Sequence, residues 1–113
     1  MDTLQSDRHI CRLDELTEGE AIAVDAVLPD GPENLIIIRR GERVHAYMNI
    51  CPHAGRRLDW APGKFLLKND ILVCAAHGAS FQAQDGLCVG GPCRGEHLRS
   101  VAVRVTGEDV VLD

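Results

Sequence analysis

The chain has 113 residues, 45% of them hydrophobic and 26% charged, with a net charge of −5. This fits one folded domain over residues 1–113 with a single modest core, and excludes a disordered polymer. The acidic balance argues against nonspecific nucleic-acid binding, and the longest apolar run, Ile71 to Ala76, is far short of the ~20 residues a membrane span needs.

Residues 1–19 are polar and acidic, with Leu4, Ile10, Leu13 and Leu16 as scattered anchors and a helical turn expected near Asp14–Leu16. The first segment, MDTLQSDR, lacks the apolar stretch of a secretory leader, so a cytoplasmic protein is expected. Glu20 to Val27 places Ile22, Val24 and Ala26 on one parity and reads as a strand. Pro29-Asp30-Gly31-Pro32 is a turn, Asn34 to Arg40 a buried strand, and Gly41-Glu42 a hairpin turn into Val44–Met48. Phe65–Leu67 and Ile71–Cys74 form a second hairpin around Lys68-Asn69-Asp70; Ser80–Gln82 and Leu87–Val89 form a third around Gln84-Asp85-Gly86. Val101, Val103 and Val105 share one strand, and Thr106-Gly107-Glu108-Asp109 turns back into Val110–Leu112. Short strands punctuated this often predict an antiparallel sandwich or small barrel, hence an all-β fold.

Charge is uneven. Residues 1–33 hold nine acids against two arginines, whereas residues 39–68 hold seven basic residues against Glu42 and Asp59. The basic stretch is either an ordinary solvated surface or a docking patch, since Arg56 and Arg57 adjoin the first motif described next.

Five cysteines are a poor disulfide framework in a chain kept in the reducing cytosol. Two of them have a histidine close behind: Cys51-Pro52-His53 and Cys74-Ala75-Ala76-His77, with twenty residues between His53 and Cys74. Each pair follows an expected strand, so two loops at one end of a sheet offer two thiolates and two imidazoles. Gly55 and Gly78 follow the pairs and let backbone amides approach a ligand. One tetrahedral zinc or one [2Fe–2S] cluster suits this donor set. Zinc fingers usually group like ligands, whereas each loop here supplies one cysteine and one histidine.

That alternation resembles the Rieske [2Fe–2S] ferredoxins of the soluble, single-domain kind. The resemblance runs from Gly19-Glu20 through Ala46–Gly55, Leu58-Asp59-Trp60, Cys74–Phe81, Asp85-Gly86 and Gly91-Pro92 to the closing strands. It implies a Rieske fold: an antiparallel β-sandwich base with a small inserted cluster-binding subdomain, about residues 49–82. It also implies that Cys51 and Cys74 ligate the inner iron and His53 and His77 the outer one. The twenty-residue spacing exceeds the family's usual one and suggests a longer hairpin around Gly63–Asp70. The disulfide of cytochrome bc-type relatives is absent, since Gly55 and Ala76 stand at its positions, and Ala79 and Phe81 replace a serine and a tyrosine that hydrogen-bond cluster sulfurs.

Two neutral imidazoles in place of two thiolates make the oxidised centre less negative and raise its potential over an all-cysteine cluster. Without hydroxyls at Ala79 and Phe81 the potential is expected near or below zero, low in the Rieske range of roughly −150 to +300 mV. A proton on each non-ligating nitrogen makes it fall as pH rises into the alkaline region. No G-x-G-x-x-G fingerprint occurs, and no second domain offers a substrate site, so the expected role is not an enzyme's. The leading expectation is a one-electron carrier between a ferredoxin reductase and a terminal oxygenase. The alternatives are a small Rieske-like subunit of a larger oxidoreductase, such as assimilatory nitrite reductase, or a structural zinc module. Cys88 and Cys93, flanking Gly90-Gly91-Pro92, are expected as free buried thiols, with a local disulfide or metal binding as alternatives. Cys11 is expected in the core, His9, His45 and His97 as surface or structural groups, and Trp60 as packing for its loop.

Overall fold

The structure, a computed structural model, describes residues 9–52, 55–75 and 78–113. Its described elements are β1 (His9–Arg12), a 3-10 turn (Leu13–Glu15), β2 (Ala21–Leu28), β3 (Gly31–Arg40), β4 (Arg43–Met48), β5 (Leu66–Lys68), β6 (Ile71–Val73), β7 (Ser80–Gln82), β8 (Cys88–Gly90), β9 (Ser100–Val101), β10 (Val103–Thr106) and β11 (Asp109–Leu112). They form three antiparallel sheets, ordered β1-β11-β10, β2-β3-β4-β9 and β5-β6-β7-β8.

The middle layer explains the apolar run of β3. Leu35, Ile36, Ile37 and Ile38 are all fully buried. Leu35 and Ile37 face the three-stranded sheet with Ile10, Ala46, Met48 and Val110, and Ile36 and Ile38 face the small sheet with Tyr47, Leu72 and Phe81. A strand covered on both faces loses the polar half of its alternation. The first two sheets are thus a sandwich base, and β5 to β8 form a separate layer beyond it.

Three links hold that layer down. The Tyr47 hydroxyl donates to the Ala83 carbonyl at 2.6 Å, Arg40 pairs with Asp70 at 3.3 Å, and Phe65 and Leu67 pack on the core shared with Ile36 and Ile38. Within it, Asn69 and Asp70 both take positive φ, the pair a two-residue type I′ hairpin between β5 and β6 requires.

Three expectations change. The segment expected to hold only scattered anchors contains β1, which pairs with β11 through a bulge between His9 and Cys11. The bulge turns both Ile10 and Cys11 inward and erases the alternation that marks a strand. The helical turn lies one residue earlier than expected. Residues 101–105, read as one strand, divide at Ala102: β9 pairs with β4 and β10 with β11. The chain changes sheets there, yet Val101, Val103 and Val105 all pack on the same base core, so the pattern continues across the break. Leu4 lies outside the described residues.

Candidate metal centre

The two cysteine loops share one backbone design. The carbonyl of Cys51 accepts from the Gly55 amide at 2.8 Å, and the carbonyl of Cys74 accepts from the Gly78 amide at 2.9 Å. The Cys51 amide donates to the Arg56 carbonyl and the Cys74 amide to the Ala79 carbonyl, both at 2.7 Å. Each turn therefore closes at the fourth and fifth residues after its cysteine. The closing residue must reverse the chain with positive φ, and Gly55 and Gly78 do so at 70° and 75°. The sequence shows histidine at unequal offsets, two and three residues after the cysteine; the equal offset is that of the glycines.

Cys51 and Cys74 are both buried in the core that contains Leu58, Phe81, Cys88 and Cys93. The loops are joined directly, for the Ala75 amide donates to the Leu58 carbonyl at 3.3 Å. Two soft sulfur donors on matched turns, enclosed by apolar side chains, fit an iron–sulfur centre that needs thiolates shielded from water. His53 and His77 lie outside the described residues.

A polar strut supports the first loop. Asn49 is the buried polar residue of the core. Its carbonyl oxygen accepts from the Leu58 amide at 2.8 Å, and its amide nitrogen donates to Asn34 at 2.8 Å and to Asp59 at 3.4 Å. Asp59 also takes both nitrogens of the Arg57 fork, at 3.0 and 2.7 Å, and the Gly63 amide at 3.0 Å. The Arg57 hydrogen bonds lead in holding the Asp59 carboxyl down to about 2. Sequence reading assigned no role to Asn49 or Asp59. The partners of Asn49 lie on β3 and across the loop, so no local spacing reveals its role.

The hydroxyl inventory is short. Between Asn49 and Leu98 the sole hydroxyl side chain in the sequence is Ser80, and it donates to the Gly78 carbonyl at 3.4 Å. Ala79 and Phe81 are fully buried and offer no donor. The Gly90-Gly91-Pro92 strap rests against the second loop: a Cβ at Gly91 would stand 2.8 Å from the Ala79 Cα, so only glycine fits. Cys88 and Cys93, at the ends of the strap, are buried with their sulfurs 3.2 Å apart and no disulfide between them.

Trp60 corrects an expectation. The residue is 58% exposed, so most of the indole faces outward, and the backbone ties the loop through the Trp60 amide donating to the Lys64 carbonyl at 2.9 Å. The basic stretch is partly structural. Arg39 donates to the carbonyls of Leu13 and Leu16, and Arg40 and Arg57 are paired, while Arg56 and Lys64 are exposed near the loops. Cys11 is in the base core, and burial, then Glu15, push its thiol up to about 11. His9 pairs with Asp109 at 3.0 Å and His97 is exposed; burial, then Arg40, lower the pKa of His45.

Known proteins match this arrangement. The profile of the Rieske [2Fe-2S] domain covers residues 7–112. The ferredoxin component of the alkene monooxygenase system of Xanthobacter autotrophicus (strain ATCC BAA-1158 / Py2) is 31% identical over 77 residues, 68% of this chain and 57% of that relative. The chain thus aligns with little more than half of that relative's length. The ferredoxin of carbazole 1,9a-dioxygenase from Nocardioides aromaticivorans IC177 superposes with a TM-score of 0.71 at 27% identity, covering 92% of this chain and 93% of that one. A chain in a complex of reduced oxygenase and oxidized ferredoxin of carbazole 1,9a-dioxygenase superposes at 0.73 with 23% identity, covering 92% and 89%, which bears on the fold alone. The matched cysteine loops, the three-sheet fold and a profile spanning nearly the whole sequence lead to one conclusion: the chain belongs to the Rieske [2Fe-2S] domain family.

Proposed function

We propose that this protein is a low-potential, one-electron carrier that passes electrons from a reductase to a terminal oxygenase, and is not itself an enzyme. The observation that carries this reading is the pair of congruent, directly joined loops that bury Cys51 and Cys74 in one core. His53 and His77, on the same loops, complete the proposed ligand set, with the cysteines on the inner iron and the histidines on the outer. Residues 49–82 hold all four and form the proposed cluster-binding subdomain. When bound, the [2Fe–2S] cluster supplies a single reversible redox step. The chain sets the terms of that step: the apolar core around Cys51 and Cys74 excludes water, and Ser80 spends its proton on Gly78, so the potential stays near or below zero.

Partner choice is supported by the named relatives, which are ferredoxin components of oxygenase systems. It is supported also by the surface. Four large hydrophobics are exposed among the described residues, and three of them, Ile50, Trp60 and Leu66, fall between Ile50 and Leu66. Ile50 directly precedes Cys51, and exposed Arg56 and Lys64 lie in the same stretch. Exposed apolar side chains with basic neighbours along the same stretch of an acidic protein suit brief docking to an acidic-rimmed face. A cytoplasmic location accords with buried, unbridged thiols. Among the described residues no helix is long and apolar enough to cross a membrane.

The reading is tested by stoichiometric reduction of anaerobically purified protein with dithionite, followed by reoxidation with ferric cytochrome c. A carrier takes up one electron per chain and returns it over repeated cycles without loss of its visible spectrum. Protein that takes up no electron, or bleaches on the first cycle, contradicts it.

A further inference from the structure

We propose that Cys88 and Cys93 are a redox clasp: hydroperoxides convert the pair to a disulfide that ties together the two ends of the Gly90-Gly91-Pro92 strap. The two sulfurs are 3.2 Å apart, with Cys93 donating to Cys88 and Cys88 donating to the Gly90 carbonyl at 3.1 Å. Closure to the ~2.05 Å of a disulfide is a small movement. The backbone has already paid most of the entropy of bringing the ends together. The Cys88 amide donates to the Glu96 carbonyl at 2.7 Å, the Gly95 amide to the Cys88 carbonyl at 3.0 Å, and the Glu96 amide to the Cys93 carbonyl at 2.9 Å. A thiol held in such a ring meets its partner at high effective concentration.

The chemistry balances with a hydroperoxide as oxidant. One thiolate attacks the peroxide oxygen, the O–O bond breaks, water or an alcohol leaves, and a sulfenic acid forms. The second sulfur displaces the sulfenic oxygen as water, and the S–S bond forms. Two thiols have then lost two electrons and two protons, and the peroxide has been reduced. Size selects the reagent, since both cysteines are about 1% exposed, and Gly91, Pro92, Arg94 and Gly95 around them are exposed. Cys93 donates its proton toward Cys88, so Cys88 is the sulfur that attacks, while burial first, then the neighbouring Cys88, pushes the Cys93 thiol up to about 12 and leaves it as the resolving thiol. The strap bears on Ala79 through Gly91, directly after the second ligand loop. A closed clasp therefore hinders opening of that loop, a consequence that rests on the cluster reading above.

Cys11 is the internal control, a buried thiol in the base core. The full chain is treated with hydrogen peroxide, quenched, denatured and alkylated. Chymotryptic cleavage after Phe81 separates Cys74 from the pair. The expected result is a peptide lighter by two hydrogens that contains Cys88 and Cys93, restored by dithiothreitol, and formed at least ~10-fold faster than Cys11 loses its alkylation. Full alkylation of both while Cys11 is oxidised, or separate sulfinic acids on each, overturns the clasp. Bridge mapping on the natural chain needs no variant to fold and no cluster to be present, so its failure is distinct from failure of the cluster reading. Bridged holoprotein should also release iron to a chelator several-fold more slowly than its reduced form. Cys88→Ser protein should show one rate with or without peroxide. Equal rates for bridged and reduced natural chain overturn the restraint on the ligand loop.

Discussion

Between the base sheets, Leu35, Ile37, Met48 and Val110 pack from strands of up to ten residues; under β5 to β8, the strands are three residues long and the core holds four cysteines. The base has enough aliphatic surface on long, paired strands to fold from burial alone. The small sheet does not, because hairpins this short are marginal without further support. Its support is polar and metallic: Asn49, Asp59, the Tyr47 hydroxyl, and the proposed cluster across Cys51 and Cys74. The difference sets stability intrinsic to the base against stability that the proposed cluster would confer on the small sheet.

The sharpest way to break this comparison is to remove a thiolate. Cys51→Ser or Cys74→Ser should abolish acid-labile sulfide, and hydrogen exchange should show protection collapsing in residues 66–90 while β2 to β4 stay protected. Uniform loss across both regions would mean that the base too depends on the metal. Asn49→Ala comes next, since it leaves the Leu58 amide without its buried acceptor and frees Asp59 and Asn34. Denaturant unfolding should register a loss of about 2 to 3 kcal/mol, largely confined to the small sheet.

Acid separates the two regions more gently. The Asp59 carboxyl is held at about 2 against an ordinary 3.8. A depressed carboxyl stabilises the fold above its unfolded pKa and loses that contribution as pH falls through 4 toward 2. The loss should amount to about 1 to 2 kcal/mol, discounted because Arg57 is half exposed. In Asp59→Asn protein the stability curve should be flatter over that window. The smallest effect is on the potential. Ala79→Ser or Phe81→Tyr, by offering a donor to the cluster, should raise it by about 60 mV, equivalent to about 1.4 kcal/mol for one electron. Potentiometric titration would show no change if these positions do not face the cluster sulfurs.

Much of the sheet order was legible because it is written in short-range patterns. The hairpin turns at Gly41-Glu42 and Asn69-Asp70 and the run Leu35–Ile38 need only neighbours to be read. What stayed hidden involves departures from period two or contacts across the chain. The bulge in β1 is of the first kind; the sheet change at Ala102 is of the second, since the alternation runs unbroken through it and only the pairing partners change. The Asn49 strut, which reaches back to Asn34 on β3, is of the second as well. Cys51 and Cys74 stood out through the histidines beside them. The common design of their loops lies in the glycines four residues on, which became visible only as a pattern of backbone hydrogen bonds.

The central claim is that this chain holds one [2Fe–2S] cluster through Cys51, His53, Cys74 and His77. Its most direct test is electron paramagnetic resonance of dithionite-reduced, anaerobically purified protein, with iron and labile sulfide measured on the same sample. The account predicts two irons and two sulfides per chain and a reduced-state signal that is lost or altered in His53→Ala and His77→Ala protein but persists in Cys88→Ser protein. Zinc without labile sulfide, or a signal that survives His53→Ala and disappears with Cys88→Ser, would contradict it.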